Sequence, residues 1–458
     1  MTIQPIKSSI QGFQWPALSS TTANAMLALQ FQLDESQWLS SGELFEKQLL
    51  QMAPLFNHAY CTMGVYEKKY RQAGLSKKQR MRCLDEWRKI PIITRSEVQE
   101  AGEQFVSERI PASHGPVGGI KTSGSTGKPI TVQNTGVVSF FSDVFTLREH
   151  LWHQRDFSQR LAIIRWLEDE KHALAPEGLH LPGWGGVTEE IYQTGPLSVL
   201  NLRCSVEAQY EWLKREKPYY LLTYPSNALE LAKYFKERGE QLPSLREVRT
   251  LSESIGPALR DLCLEVWNAP VVDIYSARET GYLALQCPEH QHYHVQSENV
   301  FVEILNDEGN PCNPGEVGRV IVTTLHNYAS PLIRYEIGDY AEVGRPCDCG
   351  RGLPVLNRIA GRVRNMLTLP TGEKFWPLFL SMHSASDAPI TQLQIVQRTL
   401  NKLEVRVVVD RSLFDQERVE LTRVLHDFLH YPFELEFVEC QQIERSKSGK
   451  FEEFYSEL

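Results

Sequence analysis

This sequence has no run of about 18 consecutive apolar residues, the length at which a helix can cross a membrane. Nor does Met1 to Pro16 show the charged, then apolar, then small-residue order of an export signal, so a cytoplasmic protein without a membrane partner is expected. Cysteine is scarce: nine in 458 residues, an odd number too sparse for a disulfide scaffold and better suited to thiols or metal ligands. Cys61, Cys83, Cys204, Cys263, Cys312 and Cys440 stand singly and read as inert thiols. Positive charge is in deficit, with 48 Lys and Arg against 57 Asp and Glu, so the whole-molecule field disfavours a polyanion such as DNA. The basic run from Lys77 to Arg88 lacks interleaved aromatics and reads as a solvated helix face; no nucleic-acid partner is expected. Internal repeats and low-complexity segments are absent as well.

What is present is ordinary globular text, 42% hydrophobic and 23% charged, long enough for one to three domains with substantial cores. Residues 36–110 read as helices, with a break at Pro91 and a new start capped by Thr94 or Ser96. From residue 160 the pattern alternates. Short apolar runs at 161–166, 219–223 and 271–275 are separated by helix-like stretches at 206–215 and 227–238, the order of βαβ units and a parallel sheet. Residues 299–343 turn β-rich, with strands expected at 300–305 and 317–324 around a turn at 307–311. After Gly361-Arg362 a shorter unit has strand-like 403–409 and 435–438. The fold class is therefore α/β: a large N-terminal domain of mixed α/β layers, residues 1–361, and a small α+β C-terminal domain, residues 362–458.

The sharpest local signal is Lys121-Thr-Ser-Gly-Ser-Thr-Gly-Lys-Pro-Ile-Thr131. Glycines let backbone N–H groups approach phosphate oxygens, hydroxyls add donors, and Lys128 adds charge, so the run suits a polyphosphate. It is not a Walker loop: only two residues separate Gly124 from Gly127, and Pro129 follows the lysine where a hydroxyl residue would be needed.

That run and four downstream segments, in fixed order, resemble the adenylate-forming superfamily of acyl-CoA synthetases, adenylation domains and luciferases. Within it they resemble the phenylacetate-CoA ligase and CapK-like group. The resemblance implies that Thr122, Ser123, Gly124, Ser125, Thr126, Gly127 and Lys128 embrace the β and γ phosphates of ATP. Asp273-Ile-Tyr275-Ser276-Ala-Arg-Glu279 is similar to a Tyr-Gly-x-Thr-Glu segment, implying that Tyr275 lies against adenine and Glu279 holds Mg2+; Ser276 replaces the glycine and Arg278 the threonine that usually faces the α-phosphate. Pro331-Leu-Ile-Arg-Tyr-Glu-Ile-Gly-Asp339 is similar to a Tyr-Arg-x-Gly-Asp motif whose aspartate accepts both ribose hydroxyls. Gly361-Arg362-Val-Arg364-Asn365 matches the hinge, and Arg445-Ser-Lys-Ser-Gly-Lys450 the C-terminal signature whose last lysine reaches the reacting carboxylate.

The chemistry agrees with these residue types. Joining a carboxylate to AMP is an in-line attack by a weak oxygen nucleophile on the α-phosphorus with pyrophosphate leaving, so positioning and charge neutralisation matter more than a base. Lys450 would supply a movable positive charge, Glu279 an oxygen ligand for a hard cation, and Asp339 a bidentate acceptor for a cis-diol. By the same resemblance the C-terminal domain is a lid that turns about the Gly-Arg-x hinge and builds a second site for a thiol. The expected reaction is activation of a carboxylic acid, aryl by preference, to an acyl adenylate and transfer to coenzyme A. A carrier-protein thiol or an amine is the alternative acceptor, and a non-catalytic nucleotide-binding scaffold the alternative of another class. A homodimer is compatible with the sequence.

A second constellation joins Cys287-Pro-Glu-His290-Gln-His292-Tyr-His294 to Cys347-Asp-Cys349. Thiolates and imidazole from two separated loops can close a tetrahedral zinc site with no open position, a structural staple. Resemblance favours Cys287, His294, Cys347 and Cys349, with His290 the alternative nitrogen ligand. For the acyl and adenine sites, resemblance points to Phe140, Phe141, the Tyr224-Pro-Ser226 segment and the Ser252-Glu253-Ser254 turn. Pro182-Gly-Trp-Gly-Gly186 is a further lid candidate.

Overall fold

The computed structural model describes residues 5–77, 79, 81–122, 129–169, 171–377, 389–409, 411–446 and 449–458. Its centre is a sheet of 13 strands whose middle is parallel. Leu197–Asn201, Leu161–Arg165, Tyr220–Thr223, Glu247–Leu251 and Val271–Ala277 lie side by side in that order, all in one direction. The helices Val206–Glu216, Pro225–Glu237 and Pro257–Trp267 connect them. This is the βαβ order expected from the alternation of apolar runs, and it is apolar because parallel strands are covered on both faces. Tyr210, Leu213, Leu231, Phe235, Leu259 and Val266 from the helices close one core with Leu221 and Val248 from the strands.

Beyond Val271–Ala277 the sheet becomes antiparallel through Gly281–Gln286, Tyr293–Val295, Val355–Arg362, Tyr335–Val343, Val317–Thr324 and Val300–Leu305. The β-rich reading of 299–343 is met. The N-terminal helices Ser41–Thr62 and Gly64–Gln72 lean on this part, whereas Thr21–Ser36 packs on the helices Gly136–Trp152 and Gly186–Ile191. Thr94, not Ser96, caps the helix Arg95–Ala101: its hydroxyl accepts from Glu97 N–H while the Glu97 carboxylate accepts from Thr94 N–H. The run from Lys77 to Arg88 departs from the expected solvated helix. Among its described residues only Leu84–Arg88 is helical, because Met81 and Trp87 are buried and draw the segment onto the core.

After Val355–Arg362 comes a separate four-stranded sheet, ordered Glu434–Cys440, Lys402–Val409, Ile390–Gln397, Phe454–Ser456, with the helix Asp415–Leu429 on one face. Leu421, Leu425 and Leu429 meet Ile395, Leu403, Val405 and Val407 there, an α+β core of its own. Among the described residues no helix is long and apolar enough to cross a membrane.

Candidate active site

In an open parallel sheet, ligands bind beyond the carboxyl ends of the strands, where loops diverge and helix N-termini point outward. Four consecutive strand ends do so here. Trp166 follows Leu161–Arg165, Tyr224 follows Tyr220–Thr223, Ser252 and Glu253 follow Glu247–Leu251, and Arg278 and Glu279 follow Val271–Ala277; all line one cleft of about 930 Å³. Asp339, Arg362 and Lys450 line it too, as do Thr122, Tyr275 and Ser276. Residues scattered from 122 to 450 along the chain therefore converge. Ser123 to Lys128 lie outside the described residues; on either side of them Thr122 N–H donates to Ile130 O at 2.9 Å, and the Thr122 hydroxyl accepts from Ile130 N–H at 2.9 Å.

Asp339 sits on the strand Tyr335–Val343, paired in register with Arg362. One carboxylate oxygen accepts from the Tyr275 hydroxyl at 2.9 Å and the other from Arg362 Nε at 3.2 Å. Each oxygen keeps a lone pair for a further donor, as a diol would need. The strand's position rests on Arg334, a residue at φ 47° whose guanidinium pairs with Glu303 at 2.9 Å and donates to the carbonyls of Arg88 and Ile90.

Glu279 is buried, and its carboxylate accepts from Arg95 Nη1 at 2.9 Å. The same guanidinium reaches the Tyr335 hydroxyl at 3.3 Å and, through Nη2, the Thr122 hydroxyl at 3.1 Å. Arg95 thus ties the foot of the 123–128 loop to Glu279. Sequence reasoning read this neighbourhood only as a helix start; a cation one residue inside a capped helix, upstream of the hydroxyl-glycine run, was the available signal. Arg278 lies on the other side and donates to Lys121 O at 3.3 Å.

Lys450 reaches the cleft because the loop that carries it is fastened to the larger sheet's helices. Burial, reinforced by the Arg362 guanidinium, pushes its ammonium below the usual lysine range, while Asp339, Glu253 and Glu279 act in the opposite sense. Gly449, at φ 79°, lies against Trp166, and a Cβ there would come within 2.5 Å of the Trp166 Cβ. Only glycine fits that approach.

Two expectations fail. Phe140 and Phe141 do not line the cleft: Phe141 stacks on His326 with centroids 3.8 Å apart, both rings pack against the core around Val144 and Trp184, and Ser142 is the residue their helix turns toward the cleft. The aromatic lining comes instead from Trp166, Tyr224, Tyr275, Tyr282, Tyr293, Trp376, Phe451 and Phe454. The Pro182 to Gly186 segment is no lid, since Trp184 is buried, donates to Gln159 O at 2.8 Å and packs on Phe157 and Tyr220.

The second constellation lies at the far end of the antiparallel strands. Cys287 follows Gly281–Gln286, His294 lies in Tyr293–Val295, and Cys347 and Cys349 come from the loop before Val355–Arg362. Their sulfur and nitrogen atoms all lie within 4.8 Å of one another, with Cys349 Sγ 3.4 Å from His294 Nε2 and Cys287 Sγ 4.0 Å from Cys347 Sγ. A tetrahedral zinc with bonds of about 2.3 Å to sulfur spaces its ligands by roughly 3.8 Å, which the 3.4 and 4.0 Å separations bracket. Burial pushes the His294 pKa down to about 4, leaving the neutral form that ligates, and its Nδ1 faces Leu353 O at 3.4 Å. His290 instead pairs with Asp348 at 2.6 Å.

No family model matches the chain. The phenylacetate-coenzyme A ligase of Thermus thermophilus is 30% identical over 220 residues, which is 45% of this chain and only about half, 49%, of that enzyme. The phenylacetate-coenzyme A ligase of Escherichia coli is 25% identical over 415 residues, 87% of this chain and 90% of that enzyme. Among solved structures, 2-hydroxyisobutyryl-CoA ligase in the postadenylation state, in complex with R3-HIB-AMP, aligns with a TM-score of 0.70 at 18% identity, covering 93% of this chain and 92% of that one. The anthranilate CoA ligase AuaEII with anthranoyl-AMP aligns at 0.51 and 17% identity, covering 72% and 64%. The fold is the one these enzymes share.

Proposed function

We propose, from the premise that the chain is a phenylacetate-coenzyme A ligase homologue with the adenylate-forming fold, that it joins a small carboxylic acid to the AMP moiety of ATP and passes the acyl group to the thiol of coenzyme A. The observation that carries this reading is the meeting of Lys450, Glu279, Asp339 and Arg362 in one cleft beyond the parallel strands. Asp339 holds the ribose diol, Tyr275 and the Ser252-Glu253-Ser254 turn flank the base, and the Thr122 to Lys128 loop takes the polyphosphate. Glu279 would hold Mg2+, which would supply neutralisation of the phosphate charge.

Lys450 draws the acid's carboxylate and the α-phosphate together by charge, excluding the need for a base. Aromatic side chains on the acyl side, Trp166, Tyr224 and Tyr282, favour an acid with a flat apolar body. Turning of the C-terminal domain about Gly361-Arg362 withdraws Lys450 once the adenylate has formed and opens a path for the thiol. Cys287, His294, Cys347 and Cys349 would hold a structural zinc, which would staple the two loops at the far end of the sheet. The test is a panel of aryl, fatty and amino acids with ATP and Mg2+, trapping the adenylate as a hydroxamate. Trapped product with aryl acids supports the reading, and no product from any acid, with ATP bound, contradicts it.

A further inference from the structure

Besides ring packing beside the hinge, where Tyr340 and Trp376 lie 4.8 Å apart, the smaller unit is fastened to the larger by the segment that carries Lys450. Arg445 Nη1 donates to the Ser226 hydroxyl at 2.8 Å, and its other terminal nitrogen lies 3.4 Å from Glu230. Phe451 N–H, next to Lys450, donates to Glu253 Oε1 at 2.8 Å. The other oxygen of Glu253 accepts from Ser226 N–H at 2.9 Å. All of these contacts fall on the first turns of the helix Pro225–Glu237 and on Glu253.

That helix has Tyr224 at its N-cap, a residue that supplies no side-chain cap. Pro225, its first residue, has no N–H, so Ser226 is the first of its donor groups at the positive end of the helix dipole. Glu253, from the turn after the neighbouring strand, puts a carboxylate there and satisfies one of those groups at long range. A carboxylate so placed has a second oxygen left over, and the lid's backbone uses it. Because the donor is the amide adjoining Lys450, the bond fixes the lysine's depth in the cleft to within the reach of its side chain. Charge-assisted bonds of this kind are stronger than neutral ones, and the Glu253 side chain is only 9% exposed.

We propose that Glu253 is the docking post of the lid: by bridging the start of helix Pro225–Glu237 to Phe451 N–H, it sets when Lys450 occupies the cleft and acts as a positioning residue for acyl-adenylate formation. The docking part stands on geometry alone; its consequence for the reaction rests on the function proposed above. Loss of the post favours the undocked lid, in which Lys450 is out of reach, and so burdens adenylation more than thioester formation, which uses the turned lid.

The experiment compares the full-length protein with Glu253→Gln and, as a second variant touching only the arginine contact, Glu230→Gln. Amide hydrogen exchange is read by mass spectrometry on peptides spanning Phe451 and Ser226, without ligands. Glu253→Gln keeps one acceptor oxygen and replaces the other by an NH2 that cannot accept, so it breaks the bridge and is expected to expose at least one of the two peptides by at least about tenfold in exchange rate, whereas Glu230→Gln leaves both bonds in place and the Phe451 peptide protected. Unchanged exchange in Glu253→Gln overturns the docking post. The half-reactions are then read separately: pyrophosphate release from phenylacetate, ATP and Mg2+, and thioester formation from supplied phenylacetyl adenylate and coenzyme A. In Glu253→Gln the first is expected to fall at least about tenfold more than the second. Equal losses overturn the positioning role. Absence of pyrophosphate release from the unaltered protein with phenylacetate counts against the proposed function, and the exchange result still decides the docking post.

Discussion

Arg95 and Glu279 form a 2.9 Å ion pair, and the same guanidinium holds the hydroxyl of Thr122, the residue that leads into the run proposed to take the polyphosphate. The carboxylate proposed to hold Mg2+ is thus paired with a guanidinium. Arg95→Met would leave Glu279 buried and unpaired, at a cost of about 3 kcal/mol in unfolding by urea. Addition of Mg2+ with ATP is expected to recover part of that loss in the variant, because both cations address one carboxylate. An equal loss with and without the nucleotide complex would show that Glu279 does not take the metal.

Lys450→Ala is expected to lower hydroxamate formation by about a hundredfold or more while ATP binding by calorimetry stays close to that of the unaltered protein. Unchanged adenylate formation would remove Lys450 from the chemistry.

Burial depresses the Lys450 pKa, so its ammonium loses the proton at a lower pH than an ordinary lysine, whose value is about 10.4. The alkaline limb of adenylation is therefore expected below that value. The sign for stability is opposite to that of a paired lysine. The unfolded chain binds this proton more tightly, so the group is a cost below its folded pKa that is relieved as pH rises toward the unfolded one. Lys450→Met should flatten that rise, measured as unfolding free energy against pH.

Zinc is expected at about one ion per chain by elemental analysis, and Cys349→Ser should release it and lower the thermal midpoint. A metal-free protein with intact stability would reduce the cluster to packed thiols.

Arg334→Leu should destabilise the protein by about 3–5 kcal/mol in urea, because it leaves Glu303 buried without its partner and frees the carbonyls of Arg88 and Ile90. A loss below about 1 kcal/mol would mean that Asp339 is held in place by other contacts.

Much of the parallel half of the sheet was legible because its strands are short apolar runs between helices with clear faces, as at Leu221 and Leu231. Helix Thr21–Ser36 was not. Its buried positions are Ala23, Met26, Gln30 and Leu33, while Phe31 is exposed, so the apolar stripe is blurred. Gly281–Gln286 and Val355–Arg362 escaped for a related reason: they carry the polar Gln286, Asn357 and Arg358, whose partners, Arg260 in helix Pro257–Trp267 and Glu342 on the neighbouring strand, are remote in sequence and invisible in local pattern. In the site, Tyr275, Glu279, Asp339 and Lys450 could be named because each stands in an ordered motif. Arg95 and the aromatic lining of Trp166 and Trp376 could not, since single residues gain meaning only when distant loops meet. Phe140 and Phe141 show the converse error, aromatic residues near a motif in sequence that pack against His326 and the core instead.

The most direct measurement of the central claim is pyrophosphate release from ATP and Mg2+ by the purified protein across aryl, fatty and amino acids, with and without coenzyme A. The account predicts release with one or more aryl acids and faster turnover when coenzyme A is present. Nucleotide binding without pyrophosphate release from any acid in the panel would contradict it.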